Sequence, residues 1–291
     1  MTHFNTTPLH PRFGLVVQDV DVSLATNDDA AIRALHALWE AHAVLVFPRQ
    51  FLNEDDLVAF TRRLGECEIV SRRDIMSPYR EEIIYFSTLR YADGKTLGGF
   101  AGGEDVAWHS DQTFRPDPAT GALLYGLEVP RDGGAIYWAN QYLAWESLPE
   151  DVRQAIDGRT GVYSYAKRLM QFNPAELKDQ IEELRRKTPD VRHPVVLNNP
   201  STGRKSLYAD PSTLIQIEGL SEAENARILP MLFEAGGAEA IALSHKVLSG
   251  DLMLWDNGCL MHRRDEISLD QPRFMKRTTF RVPRDTHCVP H

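Results

Sequence analysis

The sequence predicts a mainly β fold with flanking helices around one core, and three observations carry that prediction. The apolar segments are short and strand-like. No Pro- or Ser-rich linker, repeat or low-complexity tract divides the chain. Of its 291 residues, 43% are apolar, enough for a large core. Barrels and sandwiches commonly run to about 200–250 residues as one unit, so residues 1–291 are read as a single domain with helical decoration.

Gly14–Val20 is the first strand candidate, followed by a helical pattern over Asp28–His42 and a strand over Ala43–Phe47. A second helical pattern occupies Glu54–Leu64. Strands are then expected at Ile83–Ser87, Ala122–Val129, Ala135–Trp138, Gly161–Tyr165 and Pro194–Leu197, with helices at Glu150–Ile156 and Ser221–Ala235. Each helix opens on an acidic or hydroxyl-bearing residue, a side chain able to accept from the free N–H groups of a first turn. Towards the end, Asp251–Trp255 reads as a buried strand, Asp256-Asn257-Gly258 as a turn and Cys259–His262 as the returning strand. Pro272–Val282 is the last strand candidate.

Composition excludes several function classes. A net charge of −9 argues against nonspecific nucleic-acid binding, where phosphate attraction needs a basic surface. Met1-Thr2-His3-Phe4-Asn5 carries no basic-then-apolar signal, and no apolar run approaches the roughly 18 residues of a membrane span. Cys67, Cys259 and Cys288 are widely spaced, with no disulfide or zinc pattern, and Cys259 reads as a small core residue. A reducing cytoplasm is the expected setting.

The chemistry lies in Trp108-His109-Ser110-Asp111 and the distant His262. On an extended chain residues two apart share a face, so His109 and Asp111 project together from a strand or strand end, with His262 expected from a neighbouring strand. Two neutral imidazoles and one carboxylate on one face of Fe(II) leave positions open for a cosubstrate and O2. Alone the triplet is weak, since Asp111 also suits an Asx turn with Gln112 and Thr113. His36 and His42 fall in a helical pattern and read as packed or solvated. Arg273, Met275, Arg277 and Thr279 alternate with Phe274, Lys276, Thr278 and Phe280, which puts both arginines on one strand face. Guanidinium groups inside a barrel are costly unless an anion meets them. A solvated face with surface salt bridges is the alternative. Beside the candidate iron site anion binding is the better reading, and the constellation as a whole reads as a non-haem iron oxygenase.

The chain resembles the taurine dioxygenase and 2,4-dichlorophenoxyacetate dioxygenase family of Fe(II), 2-oxoglutarate-dependent oxygenases. The likeness begins with Pro8-Leu9-His10-Pro11-Arg12-Phe13-Gly14, Ala43-Val44-Leu45-Val46-Phe47-Pro48 and Phe60-Thr61-Arg62-Arg63-Leu64-Gly65. It continues through Trp108–Asp111 and Thr202-Gly203-Arg204-Lys205-Ser206-Leu207. Gly250–Asn257 and Arg273–Thr279 complete it. The resemblance implies a double-stranded β-helix, or jelly roll, with iron near one open end, held by His109, Asp111 and His262. It further implies that Arg273 grips the distal carboxylate of 2-oxoglutarate, while Arg277 lies beside the cosubstrate and holds an anionic group of the substrate. The implied reaction couples oxidative decarboxylation of 2-oxoglutarate, giving succinate and CO2, to hydroxylation of a C–H bond. Where that carbon bears an ether oxygen, sulfonate or amine, the product falls apart. Relatives often associate as dimers or tetramers. Asp111 is intact, whereas halogenating relatives replace this carboxylate with a small residue, so hydroxylation is favoured.

One departure concerns the Gly-Gly-Asp-Thr common in the family, whose Thr hydroxyl helps hold the same carboxylate as the first arginine. Here the stretch is Gly133-Gly134-Ala135-Ile136-Tyr137-Trp138, so Ile136 stands in the hydroxyl's place in the cosubstrate site. A neutral hydrogen bond is worth about 0.5–1.5 kcal/mol, so Arg273 can suffice, with Tyr137 or a water assisting. Arg73, in Ser71-Arg72-Arg73, and Arg90 fall where relatives place substrate contacts. With Arg277 they suggest a small carboxylate, sulfonate or phosphonate substrate, and solvated loop charges are the alternative. Trp108, Phe114, Tyr85 and Trp255 are candidates for an apolar wall or for core.

Gly98-Gly99-Phe100-Ala101-Gly102-Gly103 precedes the metal motif without phosphate-loop spacing and reads as a flap, so residues 89–107 form one expected lid. Residues 165–192 form a second lid or an oligomer contact, with a helix start at Asn173-Pro174-Ala175-Glu176; a solvated helix is the alternative. Two other functions use the same residues: a cupin-like metal hydrolase or isomerase holding Zn(II) or Mn(II), and a non-catalytic anion-binding barrel.

Overall fold

A computed structural model describes residues 3–99, 102–171 and 180–290. The strands are β1 Asn5–Pro8, β2 Leu15–Gln18, β3 Val44–Phe47, β4 Glu66–Cys67, β5 Ile84–Ser87 and β6 Val106–His109. They continue as β7 Gly121–Glu128, β8 Ile136–Asn140, β9 Thr160–Tyr163, β10 Val191–Pro194, β11 Val196–Asn198 and β12 Lys205–Leu207. The last are β13 Leu214–Ile217, β14 Ala242–His245, β15 Leu252–Asp256, β16 Leu260–Arg264 and β17 Phe274–Arg281. Among them run the helices α1 Val22–Ala25, α2 Asp29–His42, α3 Glu54–Leu64, α4 Gln141–Ser147, α5 Glu150–Ile156, α6 Tyr165–Met170, α7 Ile181–Lys187 and α8 Glu222–Gly236.

The fold is mainly β with flanking helices, as expected. An eight-stranded sheet has the order β1-β2-β3-β15-β7-β17-β4, with β5 also on β17, and a four-stranded sheet has the order β14-β8-β16-β6. The pairs β10-β9-β13 and β11-β12 form two small sheets. The pleat explains why the large sheet reads as a continuous apolar run. Val44 and Val46 join a core shared with Ile136, Trp138 and Leu260 of the four-stranded sheet, whereas Leu45 and Phe47 point the other way into a core with Trp39 of α2 and Phe60 of α3. A strand covered on both faces loses polar alternation.

Capping chemistry sets the helix starts. Asp28 accepts from Ala30 and Ala31 ahead of α2, and reciprocal boxes, Asn53 with Asp56 and Ser221 with Glu224, open α3 and α8. The cap expected for the Glu150 helix is absent: Pro149 precedes α5 and no side chain caps it. The strand expected to reach Tyr165 stops at Tyr163, because Ser164 caps α6 instead. Pro194–Leu197 straddles two strands, broken at Val195, whose N–H donates to Arg159. Cys259 and Cys288 are buried free thiols. Among the described residues no helix is long and apolar enough to cross a membrane.

Phe100 and Ala101 of the glycine-rich flap, and the helix start expected at Asn173-Pro174-Ala175-Glu176, lie outside the described residues. The flap's flanks are tied down, with Gly99 N–H donating to Tyr85 and Ile267 N–H to Gly103. Within 165–192 the described residues form α6 and α7.

Candidate active site

β6 and β16 lie side by side, antiparallel, with His109 opposite His262. The turn that returns the chain into β16 uses Gly258, whose N–H meets Asp256 Oδ1 at 2.7 Å. A Cβ there would sit 1.8 Å from the Cys288 carbonyl oxygen, so no larger residue passes. β6 ends at His109. Ser110 then anchors its hydroxyl on the Asn257 carbonyl at 2.7 Å, and the departing chain turns Asp111 back towards both histidines.

One ligand atom from each of His109, Asp111 and His262 lies within 4.8 Å of the others. The Nε2 atoms stand 4.0 Å (His109) and 3.8 Å (His262) from Asp111 Oδ1, and all three side chains are buried. His109 Nδ1 is 2.8 Å from the Ala107 carbonyl, which can only accept, so the proton sits on Nδ1 and the Nε2 lone pair faces Asp111. Burial, reinforced by the His262 and Arg168 charges, holds His109 well below the usual imidazole pKa. Burial brings His262 down to about 4 despite the opposing pull of Asp111. Burial resists ionisation of Asp111 itself, but Arg277, His262 and Arg168 outweigh it and lower its pKa. Two neutral imidazoles and one carboxylate are a donor set that fits a divalent first-row ion with open positions.

The arginine pair sits on β17 or just before it. Arg277 donates to Asp111 Oδ2, leaving Oδ1 to the histidines, and its guanidinium carbon lies 5.6 Å from the Trp255 ring and 5.7 Å from Phe86. Arg277 Nε is buried without a partner. Arg273 is 4% exposed, with Nη2 2.9 Å from Met275 Sδ and no carboxylate partner among the described residues. Burial, with the nearby Arg264 charge, lowers its pKa to about 9, so it stays cationic at neutral pH. A buried guanidinium without an anion is the orphan that a dicarboxylate cosubstrate would satisfy.

The family profile described as Taurine catabolism dioxygenase TauD, TfdA family matches residues 5–279. The chain belongs to this family. It is 31% identical over 285 residues to an (S)-phenoxypropionate/alpha-ketoglutarate-dioxygenase of Delftia acidovorans, covering 94% of each chain. It is 30% identical to the alpha-ketoglutarate-dependent 2,4-dichlorophenoxyacetate dioxygenase of Cupriavidus pinatubonensis, covering 94% of this chain and 96% of that one. Among solved structures, AAD-2 in complex with Mn(II) and N-oxalylglycine superposes with a TM-score of 0.78 at 26% identity, over 96% of this chain and 97% of that one. The protein is thus a 2-oxoglutarate-dependent dioxygenase that uses Fe(II), with 2-oxoglutarate and O2 as cosubstrates. This decides against the hydrolase and non-catalytic readings.

Other expected site residues of this dioxygenase fall less neatly. Ile136 opens β8 opposite Arg264, 4% exposed and packed into the core, and brings no hydroxyl. Tyr137 does not assist Arg273. The pleat sends it to the opposite face, where its hydroxyl donates to Asp265 at 2.8 Å beneath Arg263. Arg73 and Arg90 are exposed on their own loops, Arg73 3.6 Å from Met76 Sδ and Arg90 2.9 Å from the Gly94 carbonyl, and no contact joins either to the triad or Arg277. Of the aromatic residues, Trp255 flanks the site, 5.1 Å from the His262 ring, while Tyr85 turns into the other core and donates to Glu54.

Sequence reasoning missed three residues. Gln112 follows Asp111 with φ +58°, a conformation unusual for a side-chain-bearing residue, and its amide donates to Glu68 at 2.6 Å. Glu68 also accepts from Thr279 at 2.7 Å, and from Arg115 and Arg281, linking the Asp111 loop to β17. Arg168 of α6 donates to Ser212 at 2.8 Å and acts electrostatically on all three triad residues. No motif marks Glu68 or Arg168, and only the position of Gln112 beside Asp111 offered a signal.

Proposed function

We propose that this dioxygenase hydroxylates a small organic anion, with Fe(II) held by His109, Asp111 and His262 and the distal carboxylate of 2-oxoglutarate held by Arg273. The observation that carries the reading is Arg273 itself, a buried cation four residues before the arginine that locks Asp111 and lacking a carboxylate among the described residues. When bound, Fe(II) supplies the redox chemistry that couples decarboxylation of 2-oxoglutarate to hydroxylation of a C–H bond. The chain supplies the rest. His109 presents Nε2 because Ala107 holds its Nδ1 proton, and Asp111 stays ionised because Arg277 faces it. Trp255 and Phe86 wall the Arg277 side with apolar surface that limits water. Without a hydroxyl at Ile136, the grip on 2-oxoglutarate is weaker by about 0.5–1.5 kcal/mol than in relatives with Thr there.

Relatives named for (S)-phenoxypropionate, 2,4-dichlorophenoxyacetate and sulfate esters support an anionic substrate of that size. Hydroxylation beside an ether or ester oxygen would yield a product that breaks at the C–O bond. The eight- and four-stranded sheets sharing one core support a jelly-roll reading of a single domain. Free cysteines support a cytoplasmic setting, and exposed Phe51 and Tyr79 supply apolar surface for a dimer or tetramer.

The test measures succinate release and O2 uptake with Fe(II) and 2-oxoglutarate across phenoxyalkanoates, alkyl sulfates and alkanesulfonates. At least one acid should stimulate turnover that H109A and D111A abolish. Stimulation by neutral analogues alone would overturn the anionic-substrate reading, and unaffected turnover in either variant would overturn the ligand assignment.

A further inference from the structure

We propose that Asp210, in the segment between β12 and β13, is a positioning residue that fixes the direction of the Asp111 carboxylate; the proposal rests on the reading of Asp111 as a metal ligand. Asp210 is 2% exposed and far from Asp111 in sequence, yet it reaches the Asp111 loop on both sides of that residue. Its Oδ2 accepts from the Thr113 hydroxyl at 2.7 Å, two residues after Asp111. The same oxygen accepts from the N–H of Ser110, immediately before Asp111, at 3.4 Å.

The donor and acceptor roles leave little freedom. The Thr113 hydroxyl spends its one proton on Asp210, so in its 2.7 Å contact with Thr213 Oγ1 the Thr213 hydroxyl donates. Asp210 Oδ1 accepts from the Ser212 N–H at 2.7 Å, so both oxygens of the carboxyl are committed as acceptors. Asparagine offers one acceptor oxygen and an amide nitrogen that only donates. In place of Asp210 it would leave either the Ser212 N–H or the Thr113 hydroxyl facing a donor.

The segment that carries Asp210 is itself fastened around the site. Ser206 of β12 donates to the Gly258 carbonyl at 2.9 Å, in the turn that leads to His262. Tyr208 N–H donates to the Val195 carbonyl at 2.7 Å, and beyond Asp210 the Thr213 carbonyl accepts from the Ser164 N–H at 2.9 Å. Gln112 is held separately by Glu68. Ser110, Gln112 and Thr113 are therefore all bound, and Asp111 sits between fixed shoulders. Groups that hold a ligating side chain in this way commonly change metal affinity by about 10- to 100-fold when removed.

The experiment titrates Mn(II) calorimetrically into metal-free wild type, D111A, D210N, T113V, T113S and the double variant D210N/T113V, at a temperature where circular dichroism shows each folded. D111A should lose Mn(II) binding. D210N should bind the ion about 10- to 100-fold more weakly and T113V about 10-fold more weakly. T113S keeps the hydroxyl and should match wild type. The double variant should be no weaker than D210N, because both changes remove one bond. If D111A binds Mn(II) as wild type does, the ligand reading fails and this proposal with it. If D111A loses the ion while D210N and T113V keep wild-type affinity, Asp111 is a ligand that Asp210 does not position, and a lowered melting temperature in those two variants would then make the bond structural only. Additive losses in the double variant would also overturn the proposal. T113V and T113S, which differ by a single hydroxyl, decide the question should D210N not fold.

Discussion

Replacing Arg273 by Met separates what this residue does for the fold from what it does for the cosubstrate, because the two effects have opposite signs. The guanidinium is 4% exposed and has no carboxylate partner among the described residues. Its pKa, lowered to about 9 by burial and by Arg264, is the signature of a cation held where water cannot solvate it. Replacing even a buried ion pair by well-packed apolar residues is often neutral or stabilising by about 1–4 kcal/mol, and a buried charge that no anion meets should follow the same sign. Methionine suits the exchange, since it is unbranched and Arg273 Nη2 already lies 2.9 Å from the Met275 sulfur. At about 2–4 °C per kcal/mol for a chain of this size, R273M should melt at or several degrees above wild type in the absence of 2-oxoglutarate.

The cosubstrate should respond in the other direction. A guanidinium fork on a carboxylate makes two charge-assisted hydrogen bonds, each worth about 1.5–3 kcal/mol. With no hydroxyl at Ile136 to share the load, the loss should reach at least about 3 kcal/mol, or roughly a hundredfold rise in KM for 2-oxoglutarate. Calorimetric melting and O2 uptake against 2-oxoglutarate concentration measure the two effects separately, and iron occupancy should stay near wild type. A melting temperature that falls while KM for 2-oxoglutarate holds steady would refute the reasoning and make Arg273 a structural residue.

Two further perturbations probe the metal loop. His109 and His262 have folded pKa values below the unfolded 6.5, so the unfolded chain binds protons that the folded chain refuses, and stability falls as pH drops from 6.5 towards about 4. For His262 alone the loss by pH 5 should be about 2 kcal/mol; urea midpoints of metal-free protein at pH 7 and pH 5 should therefore differ less in H262A than in wild type, and an identical difference would show that His262 does not titrate this way. At Gln112, Q112G removes the Glu68 hydrogen bond but welcomes φ +58°, whereas Q112A loses the bond and keeps the strain. Both should bind Fe(II) about 10-fold more weakly, with Q112A less stable by about 1 kcal/mol, and unchanged iron affinity in both would remove Gln112 from any role in orienting Asp111.

What the sequence disclosed, and what it withheld, follows from the range of the interactions. Caps and turns are written in adjacent residues, so α3, opened by its capping box, falls on its expected limits and the Asp256-Asn257-Gly258 turn returns the chain as read. The triad and the Arg273–Arg277 spacing were legible because metal ligation and strand alternation demand particular residue types at particular spacings. Loop arginines obey no such constraint. Arg73 and Arg90, expected at the substrate, are exposed and make contacts within their own loops. Tyr137 failed for a local reason visible only once β8 was registered against β16, because one residue's step along a strand reverses the face. Glu68 joins segments more than two hundred residues apart in its bond to Thr279, and nothing in its neighbours announces that.

Asp111 explains why the two halves of the site stay in register. One oxygen faces both imidazoles and the other accepts from Arg277, so the triad's carboxylate is tied to the strand that leads back to Arg273. Four residues of extended chain, about 13 Å, separate the Arg273 and Arg277 Cα positions, and β17 is braced along its length by β7 and β5. The spacing of Arg273 from the arginine that holds Asp111 is therefore fixed by covalent backbone running into a paired strand. Glu68 reinforces the same tie, holding Gln112 next to Asp111 and Thr279 two residues past Arg277. A loop alone would let Asp111 wander with the loop. Bound at both shoulders to β17, it moves only if β17 moves, and that strand is paired on both edges, by β7 on one and by β5 and β4 on the other.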